Sequence, residues 1–176
     1  MPCIKIDING IAQGYSVDVI AEFLIKAGLK DFLVEVGGEI RAEGKNEKDE
    51  YWSIAIEGPG KKDDEIFVSK VLRLGTGAVT TSGNYKKYYL NGGKKYSHII
   101  NPKSGYPTNN NLVSVTVIAP DAITADAFDN TFMVMGLNSS LKFLESRKNL
   151  DAYFIYQTEK GDYRDTATAG FYRFIR

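Results

Sequence analysis

Residues 112–136 read LVSVTVIAPDAITADAFDNTFMVMG and join two elements with different patterns. Residues 112–119 are rich in valine, threonine and isoleucine and stop before Pro120, as is typical of a strand. Residues 122–135 are apolar around most of a helical projection and are followed by Gly136, which suits the end of a helix. The stretch therefore predicts a strand that is followed by a largely buried helix.

Two further helices are predicted, one on each side of this stretch. Apolar residues between positions 17 and 24 recur at helical spacing and form one apolar face. Ser16 is expected to cap the start of that helix, and Gly28 lies where a left-handed residue commonly follows a helix end. Asn138 is expected to cap the last helix, which would run to Arg147.

Most of the remaining chain predicts short strands separated by turns. The Asn-Gly-Gly segment at 91–93 is a strong signal for the turn of a β-hairpin. Because the strands cluster and do not alternate regularly with helices, the pattern favours an α+β fold with a mainly antiparallel sheet and helices packed on one face. The predicted strands cover residues 32–36, 39–42, 51–57, 71–74, 85–90, 94–100 and 152–156.

The length and charge of the chain limit the classes of function. At 176 residues, the chain is expected to form a single domain over residues 1–176. Lysine plus arginine and aspartate plus glutamate both number 22, so the net charge is zero and broad electrostatic binding to nucleic acid is not expected. The single cysteine, Cys3, excludes an internal disulfide, and the single histidine, His98, excludes a site built from several histidines.

Three segments have a composition that is unusual for scaffolding alone. Gly10 and Gly14 lie near the start of a predicted helix, where main-chain N–H groups can approach an anion or the chain can simply turn. Gly37 and Gly38 interrupt an apolar run, which indicates either a close approach of the backbone or a β-bulge. Residues 80–85 combine hydroxyls with a glycine, which suits either phosphate binding or a plain turn.

His98 and Asp126 are the candidates for chemistry. His98 precedes a rigid loop with two prolines at 101–107, and imidazole is a common general base, although a structural histidine is the alternative. Asp126 and Asn130 share one face of the predicted helix, and Asp129 lies about 100° away from Asn130. Carboxylate and amide oxygens suit a hard cation such as Mg²⁺, although an acid that stabilises the helix dipole is the alternative.

Taken together and in order, these segments resemble the ApbE family of FAD:protein FMN transferases. The resemblance covers nearly the whole chain and is most specific in the histidine loop. The matching segments are DINGIAQGYSVD (7–18), VEVGGEIRAEG (34–44), TSGNY (81–85), SHIINPKSGYP (97–107), SVTVIAP (114–120), and ADA with FMVMG within 125–136.

The resemblance implies an α+β fold and a Mg²⁺-dependent reaction on FAD. FAD would be cleaved at its pyrophosphate, FMN would be joined to a threonine of an acceptor protein, and AMP would leave. By match, Asp126, Asn130 and the main-chain carbonyl of Ala12 would hold Mg²⁺, and His98 would be catalytic and contact the nucleotide. The other residues that the resemblance implies for the flavin nucleotide site are Gly10, Ala12, Gln13, Gly37, Gly38, Ser82 and Gly83.

The chain departs from the family pattern at three positions and in length. Gln13 stands where many relatives have lysine, Asn130 where they often have threonine, and Asn84 where an acid is usual. Asp129 is a candidate to compensate at the cation site. Because relatives are typically longer, the chain is expected to correspond to the C-terminal part of a flavin transferase, without the N-terminal part.

Two other functions stay open at this point, and the resemblance also implies a location. An FAD pyrophosphatase would release free FMN and AMP, and a non-catalytic flavin-binding module would bind FAD without turnover. The family resemblance implies the bacterial cell envelope or periplasm. The first residues carry neither the basic segment nor the apolar run of a signal peptide, and no stretch approaches the ~18 apolar residues of a membrane span.

Overall fold

The computed structural model describes residues 3, 6–60, 66–84, 88–91 and 94–175. Three α-helices are present in this part of the chain: α1 (Ala12–Lys26), α2 (Ala122–Met135) and α3 (Leu137–Leu144). A 3₁₀ helix covers Ala169–Phe174. The strands are β1 (Phe32–Val36), β2 (Glu39–Glu43), β3 (Trp52–Pro59), β4 (Ile66–Leu74), β5 (Gly77–Gly83), β6 (Tyr88–Asn91), β7 (Lys94–Ser97), β8 (Leu112–Ala119), β9 (Asp151–Gln157) and β10 (Tyr163–Ala167).

An antiparallel sheet of six strands forms the centre of the fold, in the spatial order β1-β2-β5-β8-β9-β10. Helices α1, α2 and α3 pack on one face of this sheet, where Phe132 and Phe154 are fully buried. The β3–β4 hairpin and the 3₁₀ helix cover the other face, where Leu72 and Phe171 are fully buried. The predicted α+β fold, with an antiparallel sheet and helices on one face, is therefore confirmed.

Strand β8 is buried at every residue because it lies in the middle of the sheet and both of its faces are covered. Val115 and Val117 belong to the core on the helical side, whereas Ile118 belongs to the core under the hairpin. Burial on both faces explains why its sequence is a continuous apolar and hydroxyl run without polar alternation. The predictions for the strand at 112–119 and the helix at 122–135 are confirmed with the same limits.

Helices α1 and α2 close each other's N-termini with carboxylates. The N–H of Gly14, the third residue of α1, donates to Oδ2 of Asp126 in α2 at 2.9 Å. In return, the N–H groups of Ala122 and Ile123 donate to the two oxygens of Asp18 in α1 at 2.9 and 2.8 Å. Each carboxylate thus satisfies main-chain donors that a helix start leaves without intrahelical partners.

Gly14 is the point where the two helices touch. A Cβ atom at this position would lie 2.8 Å from the Cβ of Asp126 and would overlap the main-chain carbonyl of Ala122. The glycine is therefore required by helix packing, and the anion that approaches its N–H is the protein's own Asp126 carboxylate.

Two predicted helix caps are wrong, and one predicted helix end is confirmed. Helix α1 begins four residues before Ser16, whose hydroxyl donates to the carbonyl of Ala12 at 2.8 Å. Helix α3 begins at Leu137 without a side-chain cap, so Asn138 does not serve as one. Gly28 does follow α1 in a left-handed conformation, with φ of +86°.

Several strands differ from their predicted form. Gly37 and Gly38, with φ of +69° and +111°, form a two-residue hairpin turn between β1 and β2, in which Val36 pairs with Glu39. Strands β5 and β10 were not predicted, and the interpretation of 80–85 as a turn is wrong for its described part, which is strand up to residue 83. The predicted hairpin around 91–93 is present as β6 and β7, although residues 85–87 and 92–93 lie outside the described residues.

Among the described residues, no helix combines the length and the apolar character needed to cross a membrane.

Replacement of Gly14 by alanine is expected to lower the free energy of unfolding by about 1–3 kcal/mol, because the added methyl group forces α1 and α2 apart. Urea denaturation measures the change. Gly10→Ala is the matched control, since its Cβ would meet nothing closer than the Asn130 side chain at 3.8 Å. Equal stability of the two variants would contradict the role given to Gly14.

Replacement of Asp18 by asparagine is expected to lower the free energy of unfolding by about 1–3 kcal/mol, because one carboxylate oxygen that serves α2 is lost. The same change leaves Arg41, 2.9 Å from Asp18 and largely buried, without its charged partner. Glu22→Gln is the control, because Glu22 contacts the same arginine at 3.2 Å but is half exposed. Its effect should stay within about 0.5 kcal/mol, and similar losses in both variants would refute the distinction.

Candidate functional site

A large cleft of about 1440 Å³ opens between the start of α1, the β1–β2 turn, the end of β5, helix α2 and the segment that follows β7. This cleft brings together all the site residues that the sequence predicted. Those residues are Gly10, Ala12, Gln13, Gly37, Gly38, Ser82, Gly83, His98, Asp126 and Asn130, and each of them lines the cleft.

Asp126 lies where α1 and α2 meet and is only 3% exposed. Its Oδ2 accepts from the Gly14 N–H, and its Oδ1 accepts from the side-chain amide of Asn130 at 3.1 Å. Burial raises the pKa of the Asp126 carboxyl above its usual value, and these two hydrogen bonds act in the opposite direction. The carboxylate is therefore held in one orientation, with part of its surface directed at the cleft.

Two hydroxyl groups of β5, at positions 80 and 82, form hydrogen bonds with side chains of α2. The Ser82 hydroxyl donates to Oδ1 of Asn130 at 3.1 Å, and the Thr80 hydroxyl donates to Oδ2 of Asp129 at 2.6 Å. Because residues two apart on a strand face the same side, Thr80 and Ser82 both point at α2. These contacts explain the hydroxyls at positions 80 and 82, and the segment is a strand because it pairs with β2 and β8.

Asp129 is the most deeply buried of the acidic residues in the cleft, at 1% exposure. Burial raises the pKa of its carboxyl well above the usual value, the Thr80 hydrogen bond opposes this, and the neighbouring Asp126 and Glu39 carboxylates raise it further. Glu39 begins β2 directly after the glycine turn and is also buried. Three acidic side chains are thus collected at the floor of the cleft.

The β1–β2 turn is in direct contact with the start of α1. A Cβ atom on Gly37 would overlap the side-chain amide of Gln13, so the turn needs a glycine both for its positive φ and for this contact. The predicted close approach of the backbone at this position is therefore confirmed, and the group that approaches is a side chain of the same protein.

The loop after His98 is rigid because its own groups satisfy its backbone. The Asn101 side chain accepts from the Lys103 N–H at 2.9 Å, and the Asn101 carbonyl accepts from the Gly105 N–H at 2.8 Å. The loop closes with a β-bridge between Ile100 and Pro107. His98 itself is half-buried at the wall of the cleft. The loop thus holds the imidazole on the same cleft as Asp126.

The cleft is strongly acidic. Among the described residues, its lining contains six carboxylates and neither lysine nor arginine. The six are Asp7, Glu35, Glu39, Glu57, Asp126 and Asp129. A highly charged anion such as a pyrophosphate therefore meets a repulsive wall unless a cation accompanies it.

The donor atoms near Asp126 suit a hard cation. In the described part of the chain, no group of three histidine, cysteine, aspartate or glutamate side chains is arranged to hold a metal ion. Any cation at Asp126 would thus depend on a mixed set of carboxylate, amide and main-chain oxygens, which is the chemistry that Mg²⁺ accepts. Asn130 directs its NH₂ group at Asp126, while its oxygen accepts from Ser82.

Sequence reasoning missed three residues that build this site. Asp18, which caps α2, lay within a quoted motif, but its partners are more than 100 residues away. Thr80 on β5 donates a hydrogen bond to the buried Asp129. Glu39, on the neighbouring strand β2, is a further carboxylate beside Asp129. A polar residue inside an apolar segment was the available signal for Glu39, and no local signal identified Asp18 as a cap.

Comparisons with known proteins agree on one family. The sequence model described as the ApbE family matches residues 1–154. The FAD:protein FMN transferase of Haemophilus influenzae is 39% identical over 161 residues, which cover 92% of this chain and 46% of the relative. The enzyme of the same name from Escherichia coli K12 is 38% identical over 162 residues, which cover 92% of this chain and 45% of the relative.

Two solved structures are similar in both fold and sequence. Flavin transferase ApbE from Vibrio cholerae superposes with a TM-score of 0.86 at 36% identity, over 99% of this chain and 54% of that one. The apo flavinyl transferase ApbE of Pseudomonas stutzeri superposes with a TM-score of 0.81 at 35% identity, over 97% of this chain and 51% of that one. This chain spans about half the length of the relatives that it matches, and on this evidence it belongs to the ApbE family.

Proposed function

We propose that this chain takes part in protein flavinylation, as an FAD:protein FMN transferase that joins FMN from FAD to a threonine of an acceptor protein. The observation that carries the proposal is the convergence of every predicted site residue on one cleft, with His98 on its wall and buried acids on its floor. The similar proteins named as FAD:protein FMN transferases support the same activity.

The proposed reaction exchanges a phosphoanhydride bond of FAD for a phosphoester bond to the acceptor. The threonine hydroxyl of the acceptor attacks the phosphorus of the FMN half of the pyrophosphate. The bond from this phosphorus to the bridging oxygen breaks, and AMP leaves with that oxygen. The threonine loses its proton as the new phosphoester forms, so the site needs a proton acceptor and a means of offsetting negative charge.

The residues of the cleft are assigned to these two needs. His98 would accept the threonine proton or orient the phosphate, since it is the cleft's imidazole. The main-chain carbonyl of Ala12 and the Asp126 carboxylate would hold Mg²⁺, with Asn130 holding Asp126 in position, and a bound Mg²⁺ would offset charge on the pyrophosphate. The acidic lining supports a requirement for cations, because the described residues that line the cleft include no lysine or arginine. Gly10, Gln13, Gly37, Gly38, Ser82 and Gly83 would line the nucleotide.

The proposal is tested with FAD, Mg²⁺ and a threonine-bearing acceptor peptide, while AMP and labelled peptide are followed by chromatography. We expect AMP and flavinylated peptide in equal amounts, and neither product after chelation with EDTA. Free FMN without labelled peptide would instead establish an FAD pyrophosphatase. Binding of FAD without AMP would establish a binding module, a possibility that the half-length match to the relatives makes relevant.

Replacement of Asp126 by asparagine is expected to reduce the rate of AMP release at least tenfold, because Mg²⁺ loses a negatively charged oxygen ligand while the side chain keeps its size and shape. Chromatographic measurement of AMP across a Mg²⁺ titration should show that more Mg²⁺ is needed. Glu22→Gln, which removes a carboxylate of α1 outside the cleft, serves as the control and should match the wild-type rate. An unchanged Mg²⁺ requirement in the Asp126 variant would argue against the assignment.

Replacement of His98 by alanine separates its two candidate roles. If His98 is the general base, single-turnover AMP release should fall by about 10²–10⁴-fold while FAD affinity, measured by fluorescence, stays within a few-fold. A parallel loss of affinity and rate would assign it to phosphate orientation. Ser104→Ala, in the same rigid loop but exposed, is the control. Full activity of the His98 variant would remove the residue from the mechanism.

A further inference from the structure

One oxygen of the buried Asp129 carboxylate has no hydrogen-bond partner among the described residues. Its Oδ2 accepts from Thr80, but its Oδ1 is buried and accepts from nothing. A carboxylate oxygen removed from water is costly unless it meets a proton donor or a cation. Since nearly all buried polar atoms in native proteins are satisfied, this oxygen calls for a specific explanation.

The surroundings of Asp129 favour a cation as that explanation. Asp126 lies three residues earlier on α2, which makes the two side chains neighbours on the helix surface. Glu39 is a third buried acid lining the same cleft. Like charges gathered out of water repel each other, and a divalent cation between two of them converts that repulsion into attraction.

Asn130 is less well placed than Asp129 to supply the second side-chain oxygen. Its NH₂ group donates to Oδ1 and to the main-chain carbonyl of Asp126, both at 3.1 Å. Its own oxygen already accepts from the Ser82 hydroxyl and carries no formal charge, so it is a weaker cation ligand than a carboxylate oxygen. In this arrangement Asn130 positions Asp126, whereas the Oδ1 of Asp129 has no hydrogen-bond partner in the described part of the chain.

We infer that Asp129 is a second carboxylate ligand of a divalent cation held at Asp126, with Mg²⁺ as the matching class of ion. The inference rests on the proposed function for the presence of that cation, and it adds a ligand which the family resemblance does not supply. Two carboxylates and the Ala12 main-chain carbonyl, with the remaining positions left to water and substrate phosphate, form an oxygen ligand set that suits Mg²⁺.

The first test compares Mg²⁺ binding by the wild-type chain and by Asp129→Asn, using isothermal titration calorimetry with and without FAD. We expect the variant to bind Mg²⁺ at least tenfold more weakly. Without Mg²⁺ it should be as stable as the wild type or more so, because asparagine removes a buried acid and keeps the shape. An affinity within twofold of the wild type would overturn the inference, and so would a wild-type chain that binds no Mg²⁺.

The second test distinguishes a ligand from a nearby charge. In a Cys3→Ser background, Asp129→Cys is expected to shift the preference of the site from Mg²⁺ to Cd²⁺, because a thiolate is a soft ligand. Thr124→Cys, earlier on α2 and outside the cleft lining, is the control and should keep the Mg²⁺ preference. Weakened Mg²⁺ binding without a gain for Cd²⁺ would mean that Asp129 acts through charge alone, which would also overturn the inference.

These readouts are independent of the proposed reaction. AMP release from FAD decides the function, whereas cation affinity and preference decide the role of Asp129. A chain that releases AMP but shows no dependence on Asp129 would keep the function and lose the inference. A chain that releases no AMP but shows the expected change of metal preference would do the reverse.

Discussion

The exchange of carboxylates between α1 and α2 is the interaction on which the candidate site depends. Asp126 accepts from Gly14 near the start of α1, and Asp18 accepts from the first two N–H groups of α2. Separation of the helices would therefore break three charge-assisted hydrogen bonds at once, and each such bond is stronger than a neutral one. The contact also fixes Ala12 and Asp126 on one cleft, although they lie 114 residues apart in the sequence.

Local patterns were sufficient wherever the burial of an element leaves a continuous signal in the composition of its own segment. The continuous apolar run of β8 and the apolar helix after it predicted both elements, because burial on all sides leaves a signal in composition. The convergence of the site residues was predicted through the family resemblance, since the quoted segments are far apart in the chain. The helical spacing of residues predicted only one contact within the site, between Asp126 and Asn130, and these two side chains do form a hydrogen bond within α2.

The missed features are those that depend on distant partners. A serine or an asparagine near a predicted helix start looked like a cap, but α1 begins four residues before Ser16, and the carboxylate near its start comes from Asp126 in α2. Strand β5 was hidden because Thr80 and Ser82 face the polar side chains of α2, and buried hydroxyls resemble a turn in sequence. Strand β10 lies at the sheet edge and is mostly exposed, so it lacks an apolar pattern.

The same capping arrangement bears on how the cleft can bind an anion. A helix N-terminus that faces a cleft is an ordinary phosphate site, and α1 begins at this cleft. Here, however, the Ala12 N–H already donates to the carbonyl of Ile8 and the Gly14 N–H donates to Asp126. The negative charge of Asp126 also offsets the positive end of the helix dipole. The electrostatic support that α1 can give a bound phosphate is therefore reduced, and the buried acids beside it are the groups that can recruit a cation for that purpose.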